Sequence, residues 1–383
     1  MLTVHGVGYR FEPLRPDEQT TLLDRPLPVL EPRWLSPDVN DEEEDADEVV
    51  TDGPSARATI LPPGAPFRPE HMVGHHVERR LAEALLAQPG APVVVFGPSG
   101  LGKSWLLRSL TGGALAEDRV VHLDLRHLDR ATLGDRDRFF WRVLVDVAEG
   151  LGAEVEPAPG LDPARGLTRL LEREGLAQTP GRLLLVIDHA HEAAQLNDPS
   201  ALYALLRAWC ERTRPPWDRL RLLLGLSSEP SLLVQEPHLS PFNLAPPITL
   251  SELSADEVRA LVDTYGLDTR AETLHALIAL VGGHPALIRT ACFRAATTGR
   301  ALQEVIAAAL HRGGCYESAL RHLQRVLGEN APLSSALAQV CATPGAALPT
   351  DAARRLESAG LIHREGPGWA PKNGLVRALA ALL

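Results

Sequence analysis

Short unbroken apolar runs recur along the middle of the chain, and amphipathic stretches separate them. The unbroken runs are APVVVFG, ending at Gly97, VVHLDL over 120–125, RLLLVID over 182–188 and RLRLLLGLS over 219–227. A strand without in–out alternation is buried on both faces, which is the habit of parallel sheets. Apolar residues at helical spacing predict helices over about 137–151 and 198–212. A further helix is predicted over roughly 75–88, with Val77, Leu81, Leu85 and Leu86 on one face. Strand and helix in alternation predict an α/β domain, a parallel sheet with helices on both faces.

Near residue 246 the pattern changes to helix only. Ser254 and Glu257 have the spacing of a capping box opening a helix to about 265. Helices are predicted at about 271–281, 285–298 and 301–311, then near 316–327, 332–342 and 350–359. A hairpin (LIHREGPGWAP) and a helix over 373–383 complete the chain. At the other end, residues 1–12 alternate like a hairpin strand. Residues 13–66 are rich in Pro, Asp and Glu without any period, which predicts a disordered or extended linker. The expected organisation is therefore 1–12, a linker over 13–66, an α/β domain over 67–245, a helical lid over 246–312 and a last domain over 313–383.

Charge changes the picture only at one place. The formal net charge is −11, but nine acidic residues and no basic one lie between Asp38 and Asp52. Removing those nine negative charges from −11 leaves −2, so the rest of the surface is no general polyanion binder. No apolar run reaches the roughly 18 residues of a membrane span. The first residues lack a basic-then-apolar leader. The four cysteines are widely spaced with no CxxC pair, which excludes a disulfide scaffold and a clustered zinc site. The expectation is a cytoplasmic protein with no membrane partner.

The chemistry begins after the first apolar run. Residues 97–104 read GPSGLGKS, the pattern G-x-x-x-x-G-K-[ST], with a buried strand before it and a helical stretch after it. Gly97, Gly102, Lys103 and Ser104 are the fixed positions; Pro98, Ser99, Gly100 and Leu101 fill the loop and Trp105 follows it. Glycines let backbone N–H groups curl around a phosphate, and the helix N-terminus adds partial positive charge. Only two of the 38 basic residues are lysines, Lys103 and Lys372. Lys103 is a compact point charge that reaches the β- and γ-phosphates, where the wide fork of an arginine fits poorly. The Ser104 hydroxyl suits Mg²⁺. ATP or ADP with Mg²⁺ is the expected cofactor.

Asp188 ends the RLLLVID strand, where a magnesium-associated carboxylate belongs in such a fold. Many of these ATPases place an acid next, to orient the attacking water; here the position is His189, with His191 and Glu192 nearby. A neutral histidine orients water less well than a carboxylate, so slow hydrolysis is expected, with Glu192 as a substitute. His189, His191 and Glu192 also have the composition of a metal cluster, a reading the phosphate loop makes unnecessary. Ser227 and Ser228 follow another buried strand and are candidates to sense the γ-phosphate, or to cap the helix in PSLLVQ.

From about residue 67 to 383 the chain resembles the AAA-like domain family of bacterial signalling proteins, within the STAND class of P-loop ATPases and related to NB-ARC switches. The matching stretches include FRPEHMVGHHVERRLAEAL, GPSGLGKSWLLRSL, LLLVIDHAHE, SPFNLAPPITLSELSADEV, LVGGHPALIR and RRLESAGLIHREGPGWAPKNGLVRAL. The resemblance implies phosphate and Mg²⁺ contacts for Gly97, Gly102, Lys103 and Ser104, and a metal role for Asp188. MVGHH resembles the hydrophobic-Gly-Arg motif that lies against adenine, which makes Val73 and Gly74 base-contact candidates; His75 stands where the arginine is usual. GGHPALI resembles the Gly-x-Pro motif whose proline packs on adenine, here Pro285, with Gly283 allowing the approach. A plain helix–helix turn is the structural alternative.

The end of the chain resembles a winged helix. In STAND proteins that module reports the bound nucleotide; elsewhere it binds DNA. From residue 301 onward there are eight Arg and Lys against six Asp and Glu, a net of +2, which does not favour DNA. LTVHGVGYRFEP resembles the closing hairpin of response-regulator winged-helix domains, so the gene is expected to continue upstream into such a domain. The expected function is an ATP/ADP switch with weak ATPase activity that acts on a protein partner or on self-assembly. The alternatives are a DNA-binding transcription regulator gated by the ATPase core, and a scaffold that holds nucleotide permanently.

Overall fold

The computed structural model describes residues 60–156, 160–234 and 236–383. The strand expected over 1–12, and the expected linker up to residue 59, lie outside the described residues. The chain divides into two compact units. The first holds residues 76–97 and 106–250; the second holds the described residues up to His75, then Pro98–Trp105 and Ser251–Leu383.

The first unit is an α/β sheet structure. Its elements are α1 (His76–Leu86), β1 (Val93–Phe96), α2 (Lys103–Thr111, of which Leu106 onward belongs here) and β2 (Arg119–Asp124). There follow α3 (Arg130–Leu133), α4 (Arg136–Leu151), α5 (Pro163–Leu170) and β3 (Leu183–Asp188). The last are α6 (Ser200–Cys210), β4 (Leu220–Leu226), α7 (Pro230–Leu233) and β5 (Ile248–Thr249). The five strands run in the order β2-β3-β4-β1-β5, all parallel. Every residue of β4 and the first five of β3 are buried. Successive strand residues point to opposite faces, so both faces of the sheet are covered, as the unbroken apolar runs predict.

The helices start and stop where the local chemistry says. Asp135 caps α4 by accepting from the Arg138 N–H, and Gly152 closes it in the left-handed conformation. Phe139, Phe140, Val143, Leu144 and Val147 of α4 pack into the core of this unit. Two expectations fail here. Val77 and Leu81 do not face the core: they are 58% and 54% exposed, while Ala82 and Leu86 are buried. The end of α1 is tied to the sheet, where the buried Arg221 of β4 donates from Nε to the Leu86 carbonyl at 2.6 Å. The chain after 246 is also not helix only, since β5 adds two residues to the sheet beside β1.

The second unit is helical apart from one hairpin. It contains α8 (Ala255–Asp263), α9 (Ala271–Val281), α10 (Pro285–Thr298), α11 (Leu302–Ala307), α12 (Glu317–Gly328), α13 (Ala331–Ala342) and α14 (Thr350–Ser358). Strands β6 (Ile362–Glu365) and β7 (Gly368–Pro371) pair antiparallel before α15 (Gly374–Ala380). Ser254 and Glu257 form the reciprocal capping box on α8. One hydrophobic cluster runs from Leu253 to Leu379. It does not break at 312/313: the buried Tyr316 donates its hydroxyl to the Leu287 carbonyl at 2.7 Å.

Candidate functional site

The loop after β1 is held by its carbonyls. Lys103 Nζ donates to the Pro98 carbonyl at 2.9 Å. His284 Nε2 lies 3.0 Å from the Ser99 carbonyl, the Ala286 N–H donates to Gly100 at 3.3 Å, and His75 Nε2 lies 2.8 Å from the Leu101 carbonyl. Four consecutive carbonyls are thus each bound by a named donor, all within the second unit. Fixing the carbonyls fixes the peptide planes, and with them the N–H groups that a loop of this kind presents to an anion. Gly97, at the end of β1, donates its N–H to the Leu226 carbonyl of β4 at 3.2 Å, within the first unit.

His284 is the N-cap of α10 and is buried. Its Nδ1 accepts the Leu287 N–H, so Nε2 carries the hydrogen given to Ser99. This neutral tautomer is favoured: the pKa is pushed down from 6.5 to about 4. Burial is the main cause; the hydrogen bonds to backbone oppose it, and the charges of Lys103 and Lys372 add to it. Above pH 6.5 both the folded and unfolded chains hold the ring neutral. As pH falls from 6.5 to 4 the unfolded chain takes up a proton that the folded chain refuses, so stability is lost across that window, by about 3 kcal/mol in all. His284→Asn keeps a capping acceptor and removes the titration. Denaturation of both proteins at pH 7 and pH 4.5 is expected to show a smaller acid loss for the variant; equal losses would contradict this account.

The surroundings of the loop come from the same unit. Val73 is half-buried and packs on the core cluster; Gly74 and His75 are buried and both have positive φ. Trp105 meets Phe67 edge to face at 5.4 Å, and the Arg289 guanidinium lies 4.3 Å over the Trp105 ring. Arg289 also donates to the His71 carbonyl at 2.7 Å. Pro285 is buried at the first position of α10. Gly283 has an immediate structural reason to be glycine: a Cβ there would lie 2.0 Å from the Leu253 carbonyl oxygen.

In the first unit the carboxyl ends of the strands gather the remaining candidates. Asp188 ends β3 and accepts the His189 N–H at 2.9 Å. His189 is buried and left-handed, with φ 53°. Asp124 ends β2 directly opposite Asp188 in the register. Burial works against ionising Asp124, but the neighbouring His189 ring and the hydrogen bonds from Arg126 hold its carboxyl well below the usual range. Glu192 lies in a 3₁₀ turn over Ala190–Gln195 and accepts from Gln195. His191 is buried and its Nδ1 takes the Ser227 N–H at 3.3 Å, so it closes the end of β4. Among the described residues the side chains that group as metal ligands are Asp124, Asp188 and His189, not His189, His191 and Glu192. Ser227 and Ser228 are buried with unpartnered hydroxyls, and neither caps α7, whose N-cap is Glu229.

Val73, Gly74, Pro98 to Trp105, Gly283 and Pro285 therefore belong to the second unit, and Gly97, Asp188, His189, Glu192, Ser227 and Ser228 to the first. Asp124, His284 and Arg289 are candidate residues that motif reading alone does not select. Asp124 had one available signal: VVHLDL places an aspartate at a strand end, like the one that ends RLLLVID.

Known proteins share this arrangement of elements. The fold matches a Walker-type ATPase of Pyrococcus abyssi with a TM-score of 0.58 at 16% identity, covering 82% of this chain and 97% of that one. It matches the Aeropyrum pernix ORC2 protein, solved in ADPNP-ADP complexes, with a TM-score of 0.50 at 14% identity, covering 80% and 92%. At such identities the likeness speaks for the fold, that of a P-loop ATPase. No curated protein matches the chain. Among the described residues, no helix is long and apolar enough to cross a membrane. Residues 70–379 match the profile of the AAA-like domain family, and the chain belongs to that family.

Proposed function

We propose that the protein is an adenine-nucleotide switch of the STAND type, which binds ATP and ADP, hydrolyses ATP slowly and passes the state of its phosphate loop to its helical unit. The observation that carries the reading is the tethering of the loop: Ser99, Gly100 and Leu101 are held through their carbonyls by His284, Ala286 and His75. A phosphate that reshapes the loop then acts directly on the first turn of α10. Gly97 to Trp105 take the phosphates, Val73, Gly74, Gly283 and Pro285 the base side, and Ser227 and Ser228 the γ-phosphate in this reading. The partially buried hydroxyl of Ser104 and carboxylate of Asp188 are hard oxygen donors of the kind Mg²⁺ takes, and the unpartnered Ser227 and Ser228 hydroxyls fit a polar ligand. Bound Mg²⁺ would neutralise phosphate charge. The ADPNP-ADP complexes of the structurally similar ORC2 protein support the adenine nucleotide as ligand. Residues 313–383, three helices, a hairpin and a final helix, act as a winged helix that reports the state to a protein partner or a second copy. DNA is not favoured, because the net charge from residue 301 onward is only +2. Hydrogen exchange with different nucleotides separates this switch from a static nucleotide holder.

Slow turnover follows from His189, beside Asp188, with Glu192 bound to Gln195. Turnover is expected well below 1 s⁻¹, under the roughly 1–10³ s⁻¹ usual for enzymes. His189→Glu is expected to raise it by supplying the water-orienting carboxylate, although the left-handed backbone there costs a glutamate about 1 kcal/mol. Phosphate release by both proteins measures this. A wild-type rate above about 1 s⁻¹ would show that another residue already does the work.

A further inference from the structure

We propose that Asp124, Asp188 and His189 form a binding site for a first-row transition-metal ion, of which Mn²⁺ is the probe. The inference shares Asp188 with the nucleotide reading but does not require a bound nucleotide.

Strands β2 and β3 are parallel neighbours, and the register sets Asp124 directly against Asp188 at their carboxyl ends. Two carboxylates so placed repel unless something positive lies between or beside them. Asp124 is held at both oxygens and Asp188 at one. Asp124 accepts from Arg126, at 2.7 Å from Nη2 to Oδ2 and 3.1 Å from the backbone N–H to Oδ1, and His127 Nε2 lies 3.6 Å from Oδ2. Asp188 Oδ1 accepts the His189 N–H. A carboxylate has about four lone-pair positions; Arg126 brings three donors to Asp124, its Nε shared between both oxygens, and Asp188 accepts one, so most of the remaining capacity is on Asp188.

The observation that points to an ion is the histidine. Its left-handed backbone turns the ring back over the strand ends, and it is only 5% exposed. Nδ1 lies 3.1 Å from Asp124 Oδ1 and 3.4 Å from Asp188 Oδ1, yet makes no aligned hydrogen bond. Donor atoms in adjacent positions around an ion, each about 2.1 Å from it, stand about 3 Å apart. Room for the carboxylate is made on β4, where a Cβ on Gly225 would lie 2.4 Å from Asp188 Oδ1. Asp124 keeps 24% exposure, so an ion and its waters have a way in. One imidazole nitrogen with two carboxylates selects the class of ion. Magnesium and calcium take oxygen ligands almost alone, whereas imidazole suits zinc, iron and nickel; manganese, the weakest binder of the divalent first-row series, takes the carboxylates and reports a bound nitrogen by its spectrum.

The test is a titration of the full-length, nucleotide-stripped protein with Mn²⁺ followed by electron paramagnetic resonance, with Mg²⁺ as competitor. One bound Mn²⁺ is expected, held at least about tenfold tighter than Mg²⁺, with a ¹⁴N hyperfine coupling from a bound imidazole. His189→Asn tolerates the left-handed backbone; it is expected to abolish the coupling, and both His189→Asn and Asp124→Asn to weaken Mn²⁺ by at least about tenfold. Unchanged melting curves show that the variants fold. Mn²⁺ without nitrogen coupling would mean an oxygen-only site and overturn the proposal. No bound Mn²⁺ would overturn it too. ADP titration of the same samples keeps the readings apart: intact nitrogen coupling without ADP binding removes only the nucleotide function.

Discussion

Lys103→Ala is expected to weaken ATP and ADP binding by roughly 10- to 100-fold. Lys103 opens α2 and is 5% exposed, with its ammonium on the Pro98 carbonyl of its own loop. The charge is therefore held over the loop before any ligand arrives, and little ordering is left to pay for on binding. One lost charge-assisted contact is worth about 1.5–3 kcal/mol, which sets the range of the loss. Titration with a fluorescent ATP analogue measures it, and a melting curve shows whether the variant still folds. Binding as tight as wild type would remove the phosphate role of the loop.

Gly283→Ala is expected to destabilise the nucleotide-free protein by about 3 kcal/mol, the upper end of overpacking costs. The added Cβ would lie 2.0 Å from the Leu253 carbonyl oxygen and 2.8 Å from its nitrogen, both backbone atoms that cannot swing aside. The same approach carries two hydrogen bonds, Leu253 N–H to the Gly283 carbonyl at 2.9 Å and Gly283 N–H to Glu252 Oε2 at 3.1 Å. Glu252 also faces Lys372, the second lysine of the chain, at 3.6 Å. A shift that relieves the clash disturbs all three. The fall in melting temperature is expected on the order of 10 °C. A glycine needed only to let a base approach would leave the nucleotide-free protein as stable as wild type, so calorimetry without ligand decides between the two roles.

The phosphate loop was legible from the chain because its chemistry constrains residue type at fixed local spacing, and because an unbroken apolar run precedes it. The strands were legible for a related reason: burial on both faces leaves no polar residue in LLLVI or LLLGL. What escaped depends on residues far apart in sequence. Asp124 joins Asp188 only through the β2–β3 register. His284 reaches a carbonyl 185 residues away, and nothing in GGHPALI announces it. Val77 and Leu81 satisfy helical spacing as well as Ala82 and Leu86 do, so spacing alone does not choose the buried face of α1. Strand β5 is two residues long, too short for any period to show.

The central claim is that the phosphate loop and the first turn of α10 respond together to the nucleotide. Hydrogen–deuterium exchange of the full chain, without nucleotide, with ADP and with a non-hydrolysable ATP analogue, tests it most directly. The account predicts that nucleotide slows exchange over residues 98–105, and that amides over 284–290 change with it and differ between ADP and the ATP analogue. Protection confined to residues 98–105, with 284–290 identical in all three conditions, would contradict it.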